Sequence, residues 1–249
     1  MSTRGVMLMQ TYDENYLLNK RVKIYQPFEG YRASTDAVWV AAAVSRVKKG
    51  DNILDAGTGT GAIALCLAQR FKDCGISITG IEKQPLLAQA AALSAKANGF
   101  DFVQIINADI FHAGLKPCSF AHVITNPPYA EDDMPSPNNS KAMAHNFQDG
   151  GLKEWLDFCI KMLRPQGHFY IINRAEALEN IIACLHGRLG KIEVLPLCSK
   201  PGQPAKRVII RAQKDSKAPL VLHPAILIHQ PDGSHSAAAE AVLRDGLSI

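Results

Sequence analysis

The sequence lacks any apolar run long enough to cross a membrane. Its longest uncharged apolar runs, residues 37–44 and 220–229, are far shorter than the ~20 residues that a membrane helix needs. The N-terminus has neither the apolar core of a signal peptide nor the composition of a transit peptide, so we expect a cytoplasmic protein. The six cysteines form no C-x-x-C pair, and several of them lie in apolar stretches, which predicts small buried side chains there rather than disulfides or a metal site. These absences exclude membrane and secreted proteins.

Composition describes an ordinary globular chain and does not identify its function. Of the 249 residues, 47% are hydrophobic and 20% are charged, which is too apolar for a disordered protein. This length allows one large domain or two small ones. The net charge of +4 is compatible with an anionic partner without establishing one. Function therefore has to be inferred from motifs.

Short β-like runs alternate with helical segments through the middle of the chain. The predicted strands are residues 52–56, 76–81, 102–106, 121–125, 167–172, 191–197 and 207–212. The predicted helices are residues 36–44, 61–71, 85–98, 152–163 and 175–185. This order predicts an α/β fold with a seven-stranded, mostly parallel, doubly wound sheet. The last two runs have no helix between them, so we expect an antiparallel hairpin at one edge of the sheet.

A glycine-rich turn, DAGTGTG, lies between the first of these strands and the helix that follows it. Gly57 and Gly59 let the backbone turn sharply and let a ligand approach it, and the helix N-terminus offers free N–H groups. Glu82 ends the next β-run, where a carboxylate can accept hydrogen bonds from both ribose hydroxyls. Asp109 follows the third run and can accept one from an adenine amino group. Acids at the carboxyl ends of consecutive parallel strands predict a nucleoside site.

Two nucleoside cofactors match this turn. The spacing from Gly57 to Ala62 satisfies the loose G-x-G-x-x-G/A fingerprint of dinucleotide-binding proteins, so a nicotinamide-dependent oxidoreductase stays open as an alternative. S-adenosylmethionine has no pyrophosphate, and its amino-acid end carries an ammonium group. Asp55, just before the glycines, can receive that charge directly or through water. We expect S-adenosylmethionine as the cofactor, because the nicotinamide alternative explains nothing in the rest of the chain.

The tetrapeptide NPPY, residues 126–129, follows the fourth predicted strand. Pro127 and Pro128 have no N–H group, so this stretch of backbone offers only carbonyl acceptors. Because a residue before proline is restricted to extended conformations, the Pro127 carbonyl has a fixed direction. The Asn126 side-chain oxygen and the Pro127 carbonyl thus form two fixed acceptors beside the flat ring of Tyr129. Such a pair can hold the NH₂ group of adenine or of a carboxamide, with its lone pair turned toward a methyl donor.

Together, these motifs resemble the class I S-adenosylmethionine-dependent methyltransferases that modify amino groups, either adenine N6 or glutamine N5. The resemblance is carried by DAGTGTG, Glu82, Asn107-Ala-Asp109 and NPPY, and it covers residues 31–213. Within that class, the chain resembles the bacterial tRNA1(Val) adenine-N6 methyltransferase family, which methylates the adenine beside the anticodon. The segments that carry this second resemblance are residues 31–37, 144–145 and 204–208.

The resemblance implies roles for individual residues. By family likeness, the cofactor-binding residues are Asp55, Gly57, Gly59, Glu82 and Asp109. The residues that hold the target base are Asn126, Pro127 and Tyr129, with Asn126 also beside the cofactor. Tyr31 and Asp36 are expected to close over the cofactor, and a helix-capping turn at Ser34 or Thr35 is the alternative explanation of that segment. No metal is expected.

On this interpretation, residues 1–249 form a single methyltransferase domain. Residues 1–45 are predicted to be an N-terminal capping segment, residues 50–214 the catalytic core and residues 215–249 a C-terminal appendage. Residues 129–151 are long, polar and rich in Pro and Asn, which predicts a functional loop.

The expected activity is methyl transfer to the exocyclic N6 amine of adenine in RNA, with the anticodon region of tRNA as the expected partner. A protein glutamine N5-methyltransferase, the nicotinamide-dependent oxidoreductase and a non-catalytic nucleoside-binding module stay open as alternatives, as does the oligomeric state. An extruded base stacked on Tyr129 would suit an RNA substrate. Two groups of basic residues would suit phosphate contacts. They are Lys20, Arg21 and Lys23, and Lys200, Lys206, Arg207, Arg211, Lys214 and Lys217.

Overall fold

The computed structural model describes residues 11–128 and 151–249. The strands in these residues are β1 (Tyr12–Leu17), β2 (Val22–Pro27), β3 (Asn52–Ala56), β4 (Ser77–Glu82), β5 (Val103–Asn107), β6 (Phe120–Thr125), β7 (Leu163–Arg174), β8 (Leu189–Cys198), β9 (Ala205–Lys214), β10 (Val221–Leu222) and β11 (Ile226–Leu227). The α-helices are α1 (Thr35–Ala43), α2 (Ala62–Phe71), α3 (Pro85–Ala97), α4 (Gly151–Met162), α5 (Leu178–Leu185) and α6 (Ala237–Leu243).

The main sheet of the described residues has nine strands. Their order is β10-β8-β9-β7-β6-β3-β4-β5, with β11 also paired to β8. Strands β3 to β7 are parallel to one another wherever they pair, whereas β9 is antiparallel to both β7 and β8. The predicted α/β class and the mostly parallel sheet are confirmed. The seven predicted strands correspond to β3 through β9.

The predicted antiparallel hairpin is present as β8 and β9, but the structure corrects its position. Strand β9 lies between β7 and β8, and the short strands β10 and β11 pair in parallel with the outer side of β8. The sheet therefore has nine strands rather than seven, and β8 is not a bare edge. The added strands come from the apolar run at residues 220–229, which satisfies backbone groups that an edge strand leaves unpaired.

Strands β1 and β2 form a separate antiparallel sheet that the sequence did not predict. This hairpin is anchored to the end of α3. The Asn98 side chain accepts a hydrogen bond from the Lys23 N–H at 2.8 Å and donates one to the Lys23 carbonyl at 2.7 Å. The Ser94 hydroxyl accepts a third from the Tyr25 N–H at 2.8 Å. An isolated two-stranded hairpin is marginal in water, so docking on α3 accounts for its order.

Apolar layers cover both faces of the main sheet. On the first face, α1, α2 and α6 pack over a core that includes Trp39, Leu65 and Tyr170. On the second face, α4 and α5 pack over a core that includes Leu156 and Phe169. Parallel neighbours require crossover connections, and these place helices on both faces, as the doubly wound prediction expects.

The residues after β9 return to the first face of the sheet. Helix α6 packs against α1, and the Ile249 N–H donates a hydrogen bond to the Ala42 carbonyl at 3.2 Å. The division into a capping segment, a catalytic core and an appendage stays a prediction. Within residues 11–128 and 151–249, no helix has the length and apolar composition of a membrane span. The same residues contain no group of three or more His, Cys, Asp or Glu side chains placed to hold a metal ion.

Candidate active site

The predicted site residues meet at the carboxyl edge of the parallel strands. Ala56 pairs with both Ile81 and Thr125, and Glu82 pairs with Asn107, so the ends of β3, β4, β5 and β6 lie side by side. Strand β3 has β4 on one side and β6 on the other, which makes the β3/β6 boundary the point where the strand order reverses. Ligands of open α/β sheets bind in the crevice at such a point.

The glycine turn after β3 has the left-handed backbone that glycine tolerates. Gly57, Gly59 and Gly61 have φ values of +73°, +57° and +89°. A Cβ atom at Gly57 would lie 2.8 Å from the Trp155 ring, and one at Gly59 would lie 3.0 Å from the Tyr31 ring. Both the backbone conformation and the close approach of an aromatic ring therefore require glycine here.

Asp55 is fully buried beneath this turn. Its Oδ2 accepts hydrogen bonds from the Thr58 hydroxyl at 2.6 Å and from the Ala64 N–H at 3.2 Å. Its Oδ1 is buried and has no partner within the described residues. Burial raises the pKa of Asp55 to about 7, although both hydrogen bonds favour the ionised form. A cationic group that reached Oδ1 would satisfy this atom and stabilise the carboxylate.

The first turn of α2 is already occupied by a carboxylate. A dinucleotide places its pyrophosphate at the N-terminus of this helix, where N–H groups and the helix dipole attract anions. Here the Ala64 N–H donates to Asp55, and the Glu82 carboxylate accepts from the Gly59 N–H at 3.0 Å. Two carboxylates at this end of the helix oppose a pyrophosphate. The donor set fits S-adenosylmethionine, which has an ammonium group and ribose hydroxyls but no phosphate.

Glu82 is held rigidly at the end of β4. Besides accepting from Gly59, its carboxylate accepts from the Gln84 N–H at 2.8 Å. Burial raises the pKa of Glu82, and these two N–H groups act in the opposite direction. Asn107 donates hydrogen bonds to the carbonyls of Glu82 at 2.8 Å and Lys83 at 3.1 Å, so the ends of β4 and β5 are tied together.

Asp109 lies beyond β5, where local contacts already involve both of its oxygen atoms. Oδ1 accepts from the Phe111 N–H at 3.1 Å and caps a short 3₁₀ turn, and Oδ2 forms an ion pair with Lys83 at 2.9 Å. Each carboxylate oxygen has a second lone pair, so these contacts leave capacity for an adenine amino group. The cofactor role of Asp109 stays a prediction.

Tyr31 covers the glycine turn from the side of the N-terminal segment. Its ring approaches Gly59, as described above, while the side chain remains partly exposed. Burial of the hydroxyl and, to a smaller degree, the negative charges of Asp55, Glu82 and Asp36 raise the pKa of Tyr31 to about 12. The structure thus brings Tyr31 to the predicted cofactor site.

Asp36 lies in the first turn of α1 and accepts a hydrogen bond from Arg207 Nε at 2.9 Å. This ion pair joins α1 to the start of β9. Ser34 occupies the N-cap position of α1 without a side-chain capping bond. The pairing with Arg207 gives Asp36 a structural role that the sequence did not predict, and its contact with the cofactor stays a prediction.

The acceptor strip, which is the NPPY segment of residues 126–129, begins directly after β6. The Asn126 side chain is half-buried, Pro127 is buried and Pro128 is exposed. Thr125, the last residue of β6, donates a hydrogen bond to the Ala56 carbonyl at 2.8 Å, which joins the start of the strip to the start of the glycine turn. Predicted site residue Tyr129 and the loop positions 144–145 lie outside the described residues.

The sequence did not point to Trp155 as a site residue. Its indole Nε1 donates to the Thr125 hydroxyl at 2.9 Å, and its ring packs against Gly57. The tryptophan lies in a predicted helix, where an aromatic residue indicates an ordinary core position. Only the packing of α4 on the sheet places it beneath the crevice.

The second basic group divides into two parts in the structure. Lys200, Lys206 and Arg207 lie where β8 ends and β9 begins, at the carboxyl edge. Lys214 lies at the opposite end of β9, where its ammonium group donates to backbone carbonyls, including Leu163 at 2.7 Å. The predicted cluster is therefore two separate sets of side chains.

Comparison with known proteins agrees with this geometry. The family described as the methyltransferase small domain matches residues 40–196. The chain belongs to this family. This methyltransferase therefore uses S-adenosylmethionine as its cofactor and transfers the methyl group, which removes the nicotinamide-dependent alternative.

Two curated relatives of the methyltransferase carry the same name, tRNA1(Val) (adenine(37)-N6)-methyltransferase. The protein of Pedobacter heparinus is 28% identical over 232 residues, which cover 91% of this chain and 95% of the relative. That of Porphyromonas gingivalis is 28% identical over 232 residues, which cover 86% and 89%.

Solved structures share the fold of the methyltransferase. A predicted O-methyltransferase from Agrobacterium tumefaciens superposes with a TM-score of 0.71 at 23% identity, over 86% of this chain and 98% of that one. A 16S rRNA methyltransferase from T. thermophilus, solved with AdoMet and guanosine, gives a TM-score of 0.57 at 18% identity, over 82% and 50%.

Proposed function

We propose that this methyltransferase modifies the exocyclic N6 amine of adenine in tRNA. The observation that carries the proposal is the position of the acceptor strip: Asn126 follows β6 directly, and Thr125 bonds to the strand end that precedes Gly57. Curated relatives named as tRNA adenine-N6 methyltransferases support the substrate. A tRNA substrate also places the reaction in the cytoplasm.

Four side chains are proposed to hold the cofactor, which supplies an electrophilic methyl group when bound. Oδ1 of Asp55, which has no partner among residues 11–128 and 151–249, receives the ammonium group, directly or through water. Glu82 accepts from the ribose hydroxyls, and Asp109 accepts from the adenine amino group. Tyr31 closes over Gly59 and limits access of water to this side of the crevice.

Asn126 and Pro127 are proposed to act on the nucleophile. An exocyclic amine is a weak nucleophile because its lone pair is delocalised into the ring. When the Asn126 side-chain oxygen and the Pro127 carbonyl accept its two hydrogens, a more tetrahedral nitrogen is favoured and its lone pair faces the methyl group. The positive charge that develops on nitrogen strengthens both hydrogen bonds, so they lower the barrier rather than only binding the substrate. After transfer, the nitrogen loses one proton to solvent.

Charges near the strip favour a polyanionic substrate. Lys200 and Lys206 are exposed at the carboxyl edge, and neither forms an ion pair within the described residues. Both belong to the β8–β9 hairpin, which lies beyond β7 on the side of the strip away from the cofactor site. Phosphates that flank an extruded base would gain favourable contacts there.

The test supplies labelled S-adenosylmethionine and two acceptors, total tRNA and a release-factor-like protein. We expect label in tRNA and, after digestion, in N6-methyladenosine identified by mass spectrometry. The Asn126→Ala variant is the matched control for transfer by this site. Because the acceptor strip can also hold a carboxamide, label in the protein alone would refute the proposal in favour of glutamine N5 methylation.

A further inference from the structure

We propose that Trp155 is a positioning residue that sets the distance between the glycine turn and the acceptor strip. It contacts the residue that precedes Asn126 through its indole N–H and the first glycine of the turn through its ring. The methyl donor and the amine must meet between these two elements. Alignment of reacting atoms is worth several orders of magnitude in rate, and small displacements are costly.

The first contact is a chain of two hydrogen bonds. Trp155 Nε1 donates to Thr125 Oγ1 at 2.9 Å, and the same hydroxyl donates to the Ala56 carbonyl at 2.8 Å. A hydroxyl has one hydrogen to donate, so the bond to Ala56 leaves its lone pairs free for the indole. Thr125 is fully buried, which makes loss of a partner costly. The bonds fix Thr125, and with it the start of the acceptor strip, relative to the end of β3.

The second contact is the packing of the indole ring on Gly57. The ring atoms Cζ2 and Cη2 both lie 2.8 Å from the place that a Gly57 side chain would occupy. The ring thus lies directly against the backbone of the turn. Trp155 itself is held by α4, whose next residue, Leu156, is fully buried in the core of the second face. The indole is therefore a rigid spacer between α4, the glycine turn and β6.

The other tryptophan of the chain, Trp39, has a different environment from Trp155. Trp39 is 1% exposed in the core of the first face, and its Nε1 has no hydrogen-bond partner within the described residues. It contributes apolar bulk alone, whereas Trp155 is only partly buried and uses its N–H on a buried hydroxyl. Trp39→Phe is therefore the matched control, because it removes the same indole group without loss of a hydrogen bond.

A spectroscopic test needs only the cofactor. In Trp39→Phe, Trp155 is the sole tryptophan of the chain and is excited selectively over the tyrosines at about 295 nm, and we expect its emission to change on titration with S-adenosylmethionine. In Trp155→Phe, only Trp39 remains, and we expect no change at saturating cofactor, with binding verified by calorimetry. A signal that persists in Trp155→Phe, or that is absent from Trp39→Phe, would overturn the placement of Trp155 at the cofactor crevice.

A kinetic test rests on the proposed function and separates positioning from stability. With total tRNA, Trp155→Phe and Thr125→Val are each expected to lower kcat by about 10- to 100-fold. The double variant should lose no more than Thr125→Val alone, because that variant already removes the indole hydrogen bond together with the bond to Ala56. The Kd for S-adenosylmethionine should change less than about threefold, and Trp39→Phe should retain wild-type kcat.

A purely structural role predicts lower melting temperatures with unchanged kcat, and that result would refute positioning. Losses of kcat that multiply in the double variant would also refute it, because they would show that the two side chains act independently. Thr125→Val keeps the side-chain shape but leaves the indole N–H and the Ala56 carbonyl unpaired, so its melting temperature is measured together with its kcat. It gives the answer if Trp155→Phe folds poorly. If wild-type protein transfers no label to tRNA, the proposed function fails, and the fluorescence titration still decides the position of Trp155.

Discussion

On the side of β3, β4 and β5, the carboxyl edge of the sheet ends in acidic side chains, whereas on the side of β7, β8 and β9 it ends in basic ones. The acidic half contains Asp55, Glu82 and Asp109, and the basic half contains Arg174, Lys200, Lys206 and Arg207. Each half also contains a residue of the opposite charge. In the acidic half, Lys83 forms an ion pair with Asp109, and in the basic half, Asp36 forms one with Arg207. The acceptor strip after β6 lies at the boundary.

This division separates two ligands of opposite charge. The proposed cofactor carries an ammonium group and a sulfonium, which the acidic half attracts, while a polynucleotide is attracted to the basic half. Acidic Glu176 and Glu179 also lie near the end of β7, so the basic half is not uniform. Substitutions in one half should therefore change the binding of one ligand and spare the other.

Substitution at the boundary has the largest expected effect. Asn126→Ala should lower kcat by about three orders of magnitude and leave the Kd for S-adenosylmethionine within about threefold, because this side chain holds the nucleophile rather than the donor. Steady-state kinetics and calorimetry measure the two quantities. Equal losses in both would show that Asn126 supports the structure of the crevice and does not act on the nucleophile alone.

A pH dependence of cofactor binding is expected from the acidic half. The pKa of Asp55 is about 7 in the free protein, and a cation binds its ionised form. Binding should therefore be about tenfold weaker at pH 6 than at pH 8, because the fraction of ionised carboxylate falls by that factor. Calorimetric titration measures the Kd, and Asp55→Asn should abolish the dependence. Tighter binding at the lower pH would contradict the role of Asp55.

Substitutions that neutralise lysines in the basic half should weaken RNA binding and leave cofactor binding unchanged. Lys200→Gln with Lys206→Gln is expected to raise the Kd for tRNA about fivefold and to reduce the slope of log K against log salt by about 2, one for each lost phosphate contact. The control is Lys48→Gln with Lys49→Gln, since these exposed lysines precede β3 at the opposite edge. Equal effects of the two pairs would show that the charge of the whole protein, not this edge, attracts RNA.

The stability of the cofactor-free protein should also change with pH through Asp55. Because the folded-state pKa of Asp55 is raised, the native state binds a proton more tightly than the unfolded chain, so this residue's contribution declines as pH rises from about 4 to about 7. Asp55→Asn removes this dependence, so its gain in free energy of unfolding should be larger at pH 8 than at pH 5 by about 2–3 kcal/mol. Urea unfolding of both proteins at pH 5 and pH 8 measures the free energy of unfolding. If Asp55→Asn is stabilised as much at pH 5 as at pH 8, the raised pKa of Asp55 is not the cause.

The order of the elements and the chemistry of the strand ends could be predicted from the sequence. Seven strands, the turn at Gly57 and the acids Glu82 and Asp109 are local features, since each depends on a few consecutive residues. In a parallel sheet the carboxyl ends of neighbouring strands share one edge, so local motifs there become neighbours in space.

Other features were decided only by tertiary structure, because they depend on residues far apart in the chain. The hairpin at Tyr12–Leu17 and Val22–Pro27 needs α3 as its support. The basic residues near β9 lie at two opposite edges of the sheet, because an extended strand advances about 3.3 Å per residue and the two ends of β9 are therefore far apart. Trp155 reaches Gly57 only through the packing of α4. Local sequence thus determined which groups stand at the crevice, and long-range packing determined what holds them together.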